Sequence, residues 1–246
     1  MAYAVLTRDL EAAAPYAAAL APLGLETVAM PVTRTAPAED PGELARAIGQ
    51  GGHAAIVVAS ARAAAALEAA RGGAALPEVW AVGRATARAL EAAGIAARVP
   101  PAARDAATLA RALLAERDLA GRRVLVPRAE GGRDEAIAIL RDAGAEVDAI
   151  ACYRTVPAAA DDPALARGLV VLRGDAAAVC AMFAPSQVRA LDALVEIRRI
   201  SAVFAAIGET TADALRGAGA AAVVVAEGPT PERLAKAVSA VYPRGP

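Results

Sequence analysis

The sequence has few of the side chains on which most enzymes depend for nucleophilic, acid–base or metal chemistry. Among its 246 residues there are one histidine and two cysteines. His53 comes directly before a predicted strand, away from the edge at which α/β sheets bind ligands, so a Ser-His-Asp triad or a zinc centre is not expected. Cys152 and Cys180 lie in apolar runs without metal-ligand spacing, and we interpret them as small buried residues. If the chain is an enzyme, it is expected to act by positioning a reactive substrate.

Long apolar runs and a strong net charge are also missing. The longest uncharged run, residues 47–61, is interrupted by glycines and a histidine and is too short to span a membrane. Arg8, Asp9 and Glu11 interrupt the start of the chain early, so no signal peptide is predicted. The net charge of −1 does not favour nucleic acid as a partner. These absences predict a soluble, cytoplasmic protein with neither a membrane nor a nucleic-acid partner.

The basic residues are almost all of one type. Lys236 is the only lysine among 26 lysines and arginines. A GC-rich genome would explain this bias, but arginine also binds carboxylates well, because its planar fork makes two parallel hydrogen bonds. Nucleotide signatures are missing: no Gly-Lys-Ser/Thr loop and no Gly-x-Gly-x-x-Gly follows a strand. Aromatic residues make up 3% of the chain, which leaves little cover for a flavin.

What the sequence does contain is an internal repeat in permuted order. Four pairs of segments match each other: 2–8 with 122–128, 31–37 with 151–157, 81–94 with 206–219, and 56–67 with 182–191. The matching units alternate along the chain, so they predict two similar lobes. A cleft between lobes is a natural place for a ligand.

Short β-branched runs alternate with alanine- and leucine-rich stretches of helical periodicity. Gly94, Gly144 and Gly219 each end such a stretch, as a glycine after a helix does. The pattern predicts an α/β fold of two flavodoxin-like lobes with parallel sheets. The predicted strands are 3–7, 26–32, 54–59, 78–82, 96–99, 123–127, 146–153, 177–183, 201–207 and 222–226.

The permuted order also predicts how five strands are assigned to each lobe. The first lobe would be discontinuous, comprising 1–34 plus 156–246, and the second would comprise 38–152, with linkers at 35–37 and 153–155. Both linkers lie in segments that end in Arg-Thr-x-Pro, and the residue before a proline prefers extended backbone. We therefore expect two extended strands side by side, forming a two-stranded hinge.

Candidate site residues follow the strands, because ligands of open parallel α/β sheets bind beyond the carboxyl ends of the strands. Small, hydroxylic and arginine side chains dominate there, and together with free backbone N–H groups they suit an anion. The candidates are Arg8, Ser60, Arg62, Gly83, Thr86, Arg128, Ser186, Gly208 and Thr211.

These candidates have structural alternatives that the sequence leaves open. Thr86 and Thr211 could only satisfy N–H groups of a first helical turn, and Ser60 and Ser186 could be plain N-caps. Residues 130–133, Glu-Gly-Gly-Arg, could be a simple turn. A further candidate, the tyrosine at position 153, could simply pack in the hinge, although the repeat has a threonine at the matching position 33.

The ordered set of motifs resembles the uroporphyrinogen-III synthase family over residues 2–242. It comprises AVGRATARALEAAG (81–94), RVLVPRAEGGRDEAIAILRDAGAEVDAIACYRTVP (123–157), AAIGETTADALRGAG (205–219) and VVVAEGPTPERLAKAV (223–238). The resemblance implies two α/β lobes joined by a two-stranded ladder. It also implies a substrate, hydroxymethylbilane, with eight carboxylates. This substrate loses water, passes through an azafulvene and a spiro intermediate, and closes with ring D inverted. No cofactor and no metal are implied.

The resemblance also implies roles for individual residues. Tyr153 would protonate the departing hydroxyl, while Thr86 and Thr211 would bind carboxylates with neighbouring N–H groups. Ser60 and Arg62 match the serine and the basic residue after the third strand. The chain departs from the family at positions 59 and 184, both alanine where a hydroxyl is usual, so Ser186 would have to act in place of the second.

Two other functional interpretations stay open. A two-lobe protein could bind a tetrapyrrole or a small anion for regulation without catalysis, because fold does not fix function. A flavodoxin-type cofactor protein is disfavoured by the scarcity of aromatic residues. A monomer is assumed, and a transient contact with hydroxymethylbilane synthase is left as an open alternative.

Overall fold

The computed structural model of the chain describes residues 2–174 and 176–242. Within this part, the strands in chain order are β1 (Ala2–Leu6), β2 (Leu25–Ala29), β3 (Thr33–Pro37), β4 (His53–Val58), β5 (Glu78–Ala81), β6 (Ala97–Arg98), β7 (Arg123–Ala129), β8 (Glu146–Pro157), β9 (Ala177–Met182), β10 (Val203–Ala206) and β11 (Val223–Val225). The helices are α1 (Leu10–Leu20), α2 (Glu43–Gln50), α3 (Ala61–Arg71), α4 (Gly83–Ala92), α5 (Ala106–Glu116), α6 (Glu135–Asp142), α7 (Pro163–Arg173), α8 (Pro185–Val195), α9 (Glu209–Gly217) and α10 (Pro231–Val241).

The chain divides into two compact units. Unit 1 comprises Met1–Arg34 and Val156–Pro246, and unit 2 comprises Thr35–Thr155. Each unit is built around its own sheet, and helices follow most strands. The strands β11, β10, β9, β1 and β2 pair in parallel in the first sheet, and β8, β7, β4, β5 and β6 do so in the second. The predicted α/β class with parallel sheets is therefore confirmed.

Unit 1 is built on a five-stranded sheet in the order β11-β10-β9-β1-β2. Neighbouring side chains of a strand point to opposite faces of the sheet, and here both faces are covered. Val5 packs into a core cluster with Leu191 of α8, whereas Leu6 packs into a second cluster with Leu234 of α10. Burial on both faces explains why these strands read as continuous apolar runs.

Unit 2 is built on a six-stranded sheet in the order β3-β8-β7-β4-β5-β6. Ile56 joins one apolar cluster with Leu67 of α3, and Val57 joins another with Leu113 of α5. Apart from β3, both sheets have the same pattern of strand neighbours. The pair β1 and β2 borders β9 in unit 1, and the pair β7 and β8 borders β4 in unit 2.

The predicted extended connectors are strands. Residues 35–37 lie in β3 and residues 153–155 lie in β8, which is 12 residues long, and β3 is the neighbour of β8 at the edge of the sheet. The second sheet therefore has six strands rather than the five that we predicted. The Thr-x-Pro signal fixes only an extended backbone, and the partner that turns an extended segment into a strand is distant in sequence.

The ends of three helices follow the sequence pattern. Gly94, Gly144 and Gly219 have φ of +66°, +83° and +81° just after α4, α6 and α9. Only glycine adopts this left-handed backbone without strain, so the prediction of helix-ending glycines is confirmed.

Candidate functional site

The carboxyl edge of the unit 2 sheet brings several predicted site residues to one level. Val58 of β4 pairs with Ala81 of β5, and Ala129 of β7 pairs with Tyr153 of β8. Because the paired strands are parallel, the segments that follow them leave the sheet on the same side. Ser60 comes two residues after the end of β4, and its hydroxyl contacts that of Tyr153.

Ser60 and Tyr153 form a pair of hydroxyls on a fixed frame. Ser60 is the N-cap of α3, and its Oγ accepts a hydrogen bond from the N–H of Ala63 at 3.1 Å. The same Oγ lies 3.2 Å from Oη of Tyr153, and either hydroxyl can be the donor. The carbonyl of Tyr153 accepts from the N–H of Glu130 at 2.8 Å, which fixes the backbone that carries the phenol. Ser60 is thus an N-cap and also a partner of the tyrosine.

Thr86 and Thr211 lie at matching places in α4 and α9. They are 4% and 2% exposed, and neither hydroxyl has a hydrogen-bond partner within residues 2–174 and 176–242. Neither α4 nor α9 begins with a side-chain cap, so the alternative in which these threonines only cap a first turn is not observed. Their hydroxyls are left available for a ligand.

The glycines ahead of these threonines differ in backbone conformation. Gly83 has φ of +69°, where a side chain would be strained, so glycine is required at the start of α4. Gly208 is the N-cap of α9 with φ of 178°, an extended conformation open to other residues. The N–H of Thr211 bonds to the carbonyl of Gly208 at 3.1 Å.

Arg8 packs against two aromatic rings at the carboxyl end of β1. Its Cζ lies 4.3 Å from the ring centroid of Phe183 and 5.2 Å from that of Tyr16. The rings meet edge to face at 4.7 Å, and the Tyr16 hydroxyl donates to the carbonyl of Pro229 at 3.2 Å. Arg8 is half-buried and forms no ion pair within the described ranges. The guanidinium packs against these rings through cation–π contacts, and its N–H groups are free for a carboxylate.

A polar contact beside Arg8 was missed by the sequence analysis. The buried hydroxyl of Thr7 lies 2.8 Å from the carbonyl of Ala181 and 2.9 Å from Oε1 of Gln187. The same Oε1 accepts the N–H of Phe183 at 2.9 Å. The signal that could have found it is a glutamine at the third position of a helix, which often reaches back to backbone N–H groups before the helix.

The start of α8 differs from that of α3 in its side chains. Ala184 is the N-cap with φ, ψ of −162°, 152°, close to the −152°, 153° of Ser60, but it has no side chain that can accept. Ser186 is the second residue of α8, so its interpretation as an N-cap is wrong. Its hydroxyl forms no hydrogen bond to another residue that the structure describes.

The predicted arginines of unit 2 fall into two groups. Arg62 lies exposed in the first turn of α3 and has no carboxylate partner among the described residues. Arg128 instead donates to the carboxylate of Asp134 and to the carbonyl of Gly132. Its guanidinium therefore closes the turn at 130–133. This agrees with the interpretation of that segment as a simple turn, which the sequence left open.

The cysteines and the histidine lie apart from this chemistry. Burial raises the pKa of Cys152 to about 11 and that of Cys180 to about 12, so neither is a thiolate near neutral pH. His53 begins β4 and bonds through Nε2 to Asp148 at 2.8 Å. In the part of the chain that the structure describes, no group of three or more His, Cys, Asp or Glu side chains could hold a metal ion. Within the same ranges, no helix combines the length and the apolar character needed to cross a bilayer.

The two sheets, with helices that follow most of their strands, define a protein of the α/β class with parallel sheets. The family model for uroporphyrinogen-III synthase HemD matches residues 14–236, and the chain belongs to this family. The resemblance drawn from the sequence motifs is therefore confirmed.

Solved structures agree with this assignment at the level of the fold. Uroporphyrinogen-III synthetase from Helicobacter pylori is 16% identical with a TM-score of 0.66, and the match covers 98% of this chain and 100% of the other. A mutant uroporphyrinogen III synthase from the extremely thermophilic bacterium Thermus thermophilus is 23% identical with a TM-score of 0.53, covering 98% and 97%. A search of curated proteins finds no match.

Proposed function

We propose that the protein is a uroporphyrinogen-III synthase that closes hydroxymethylbilane with loss of water and inversion of ring D. The observation that carries this proposal is membership of the family over residues 14–236. The hydroxyl, amide and guanidinium groups at the strand ends support it, because they suit a substrate with eight carboxylates.

In the proposed reaction, Tyr153 starts the loss of water. Its phenol donates a proton to the departing hydroxyl, the C–O bond breaks, and a pyrrole nitrogen lone pair gives the azafulvene. The ring D α carbon that bears the bridge then attacks to give the spiro intermediate. The bond between this carbon and the bridge breaks, the bridge carbon bonds to the other α carbon of ring D, and that carbon loses its proton. The Ser60 hydroxyl, 3.2 Å away, supports this role because it can orient the phenol and stabilise the phenolate.

The carboxylates of the substrate are assigned to both units. In unit 2 we assign Thr86, the backbone at Gly83 and Arg62, and in unit 1 Thr211, the backbone at Gly208, Arg8 and Ser186. These assignments are supported by the two buried threonines, whose hydroxyls have no partner among the described residues, and by the guanidinium of Arg8, which packs against two aromatic rings. Arg128 would act indirectly, by holding the turn at 130–133.

We further propose that units 1 and 2 are the two lobes of a permuted repeat, and that β3 and β8 serve as the hinge. The shared strand order supports the repeat, and the matched segments 2–8 and 122–128 contain β1 and most of β7. The proposed enzyme is a cytoplasmic, monomeric lyase that needs no cofactor.

A second candidate is a non-catalytic protein that binds a tetrapyrrole. It is favoured by one observation, the loss of a hydroxyl at Ala184. A coupled assay separates the two candidates. Hydroxymethylbilane synthase supplies the substrate from porphobilinogen, the products are oxidised, and the porphyrin isomers are separated. Mainly type III isomer is expected. Type I isomer alone, the product of spontaneous closure, would exclude the synthase and favour the non-catalytic binding protein.

A further inference from the structure

Gln187 ties together the ends of two central strands of unit 1. Its Oε1 accepts from the N–H of Phe183, just after β9, and lies 2.9 Å from the hydroxyl of Thr7, just after β1. Gln187 is the third residue of α8, so this one oxygen also joins the helix to the sheet. The oxygen is therefore fixed from two directions.

The amide nitrogen of Gln187 has no such partner. Within residues 2–174 and 176–242 its two N–H groups form no hydrogen bond, and the side chain is partly exposed. The amide group is planar, so its nitrogen points in a different direction from Cδ than Oε1, which contacts Thr7 and Phe183. Since Oε1 faces the strand ends, the N–H groups are turned away from them and are held ready for an acceptor.

The matching position of unit 2 has no such group. There Ala63 is the third residue of α3, and the donor at the helix start is the hydroxyl of Ser60. In unit 1 the N-cap is Ala184, which has no donor, and the amide of Gln187 stands one turn further on. Arg8 follows Thr7 directly and lies over the ring of Phe183, so a cation stands on the same two segments.

We propose that the Gln187 amide is a specificity-determining donor that binds a substrate carboxylate beside Arg8, in place of the hydroxyl missing at position 184. This inference rests on the proposed function. A carboxylate accepts from an amide as well as from a guanidinium, and a neutral donor beside a cation binds the anion without repelling that cation.

Q187E separates this role from a structural one. The carboxylate keeps an acceptor for Thr7 and Phe183, but it replaces the two N–H donors with a negatively charged oxygen. We expect an unchanged midpoint of thermal unfolding, a kcat within about twofold, and a KM for hydroxymethylbilane raised roughly tenfold or more. Q50E is the matched control, because Gln50 is the only other glutamine and ends α2 on an exposed surface.

Binding provides a second measurement that does not depend on turnover. The dissociation constant of uroporphyrin III, a stable octacarboxylate, is measured for wild type, Q187E, Q187M and Q50E. We expect Q187E and Q187M to bind about tenfold more weakly and Q50E to bind like wild type. Q187M removes the donors without adding charge, but it also removes the acceptor for the N–H of Phe183, so the binding of each variant is interpreted only where its midpoint of thermal unfolding shows that it is folded.

Two results would overturn the inference: unchanged KM and affinity in folded Q187E, or no binding of uroporphyrin III by the wild type. Failure of the proposed function looks different, because the wild type would then give only type I isomer. If the affinity of the Gln187 variants still fell in that case, the donor would stand as part of a binding protein.

Discussion

The carboxyl edges of units 1 and 2 use nearly the same backbone for different chemistry. After β4 in unit 2 the helix begins at Ser60, whose hydroxyl meets the phenol of Tyr153. After β9 in unit 1 the helix begins at Ala184 with similar φ and ψ, and the polar groups nearby are the side chains of Gln187 and Arg8. The comparison indicates that the fold supplies N–H groups in both units. The side chains differ at these positions: unit 2 has a pair of hydroxyls, and unit 1 has an amide near a guanidinium.

The largest expected effect tests the proton donor of unit 2. Tyr153→Phe removes the phenolic proton while keeping the ring, and we expect formation of the type III isomer to fall about 100-fold, mainly in kcat. The coupled assay measures this. Tyr242→Phe, near the end of α10, is the matched control and should keep wild-type activity. Full activity in Tyr153→Phe would remove the tyrosine from catalysis.

The next effect tests the cation of unit 1. Arg8→Gln removes the charge beside the rings of Tyr16 and Phe183, and we expect KM to rise roughly tenfold with little change in kcat. Arg198→Gln, which changes an exposed arginine paired with Glu196, serves as the control. A fall in kcat alone would contradict a role in ground-state binding.

The two helix starts predict opposite changes in stability. Ser60→Ala removes a hydroxyl that caps the N–H of Ala63, and it should lower the free energy of unfolding by about 1 kcal/mol. Ala184→Ser adds a hydroxyl at a similar backbone conformation and should raise the free energy of unfolding by about 1 kcal/mol. Urea denaturation measures both. Equal signs would show that the backbones differ in a way that their dihedral angles do not reveal.

A smaller effect tests the matching threonines. Thr86→Val and Thr211→Val remove hydroxyls without a protein partner among the described residues, so we expect unchanged thermal stability and a KM raised about threefold in each case. Thr108→Val is the contrast, because the Thr108 hydroxyl bonds to Asp105 at the start of α5 and its loss should lower stability. A destabilised Thr86→Val with normal KM would make Thr86 purely structural.

The smallest effect concerns acid and is confined to unit 2. Burial alone would raise the pKa of Asp148, but hydrogen bonds from His53 and Arg123 outweigh it and hold this pKa below its ordinary value. The resulting stabilisation is present above the unfolded pKa and is lost as pH falls through the folded one. We expect Asp148→Asn to cost roughly 0.5 kcal/mol at pH 7. The cost should vanish near pH 2, and urea denaturation at both pH values measures it.

Among its described residues, unit 1 has no cluster that corresponds to His53, Arg123 and Asp148, so it is the reference with which unit 2 is compared. His53 pairs with Arg123 at the start of β4 and β7, whereas Ala177 and Tyr3 form the equivalent pair of β9 and β1. A loss of stability at pH 7 equal to that at low pH would contradict a role for the charge of Asp148.

Much of the fold followed from the sequence because its signals are local. Every predicted strand overlaps an observed one, since apolar runs between turn residues depend on neighbours in the chain. The strand β3 was expected only as an extended connector, because its place beside β8 depends on a partner more than a hundred residues away. The sixth strand of that sheet was therefore missed.

The candidate site was predictable where a residue stands in a repeat and hidden where its role depends on distant contacts. Thr86 and Thr211 were proposed because they match each other in the repeat, and Tyr153 because it differs from its matching residue, and their roles stay predictions. The packing of Arg8 against two aromatic rings was missed, since Tyr16 and Phe183 are 167 positions apart and meet only in the folded chain. The contact between Gln187 and Thr7 was missed for the same reason.

The pairing of β1 with β9 sets an order of events at the ribosome. β1 is made before unit 2, yet its partner β9 begins at Ala177, after all of unit 2 has been synthesised. Unit 2 is then able to fold while unit 1 is only a fragment holding β1 and β2, with one hydrogen-bonding edge of β1 uncovered. Uncovered strand edges are where nascent chains aggregate and where chaperones attach. The unit that is built from two separate segments of the chain is therefore the unit at risk during synthesis.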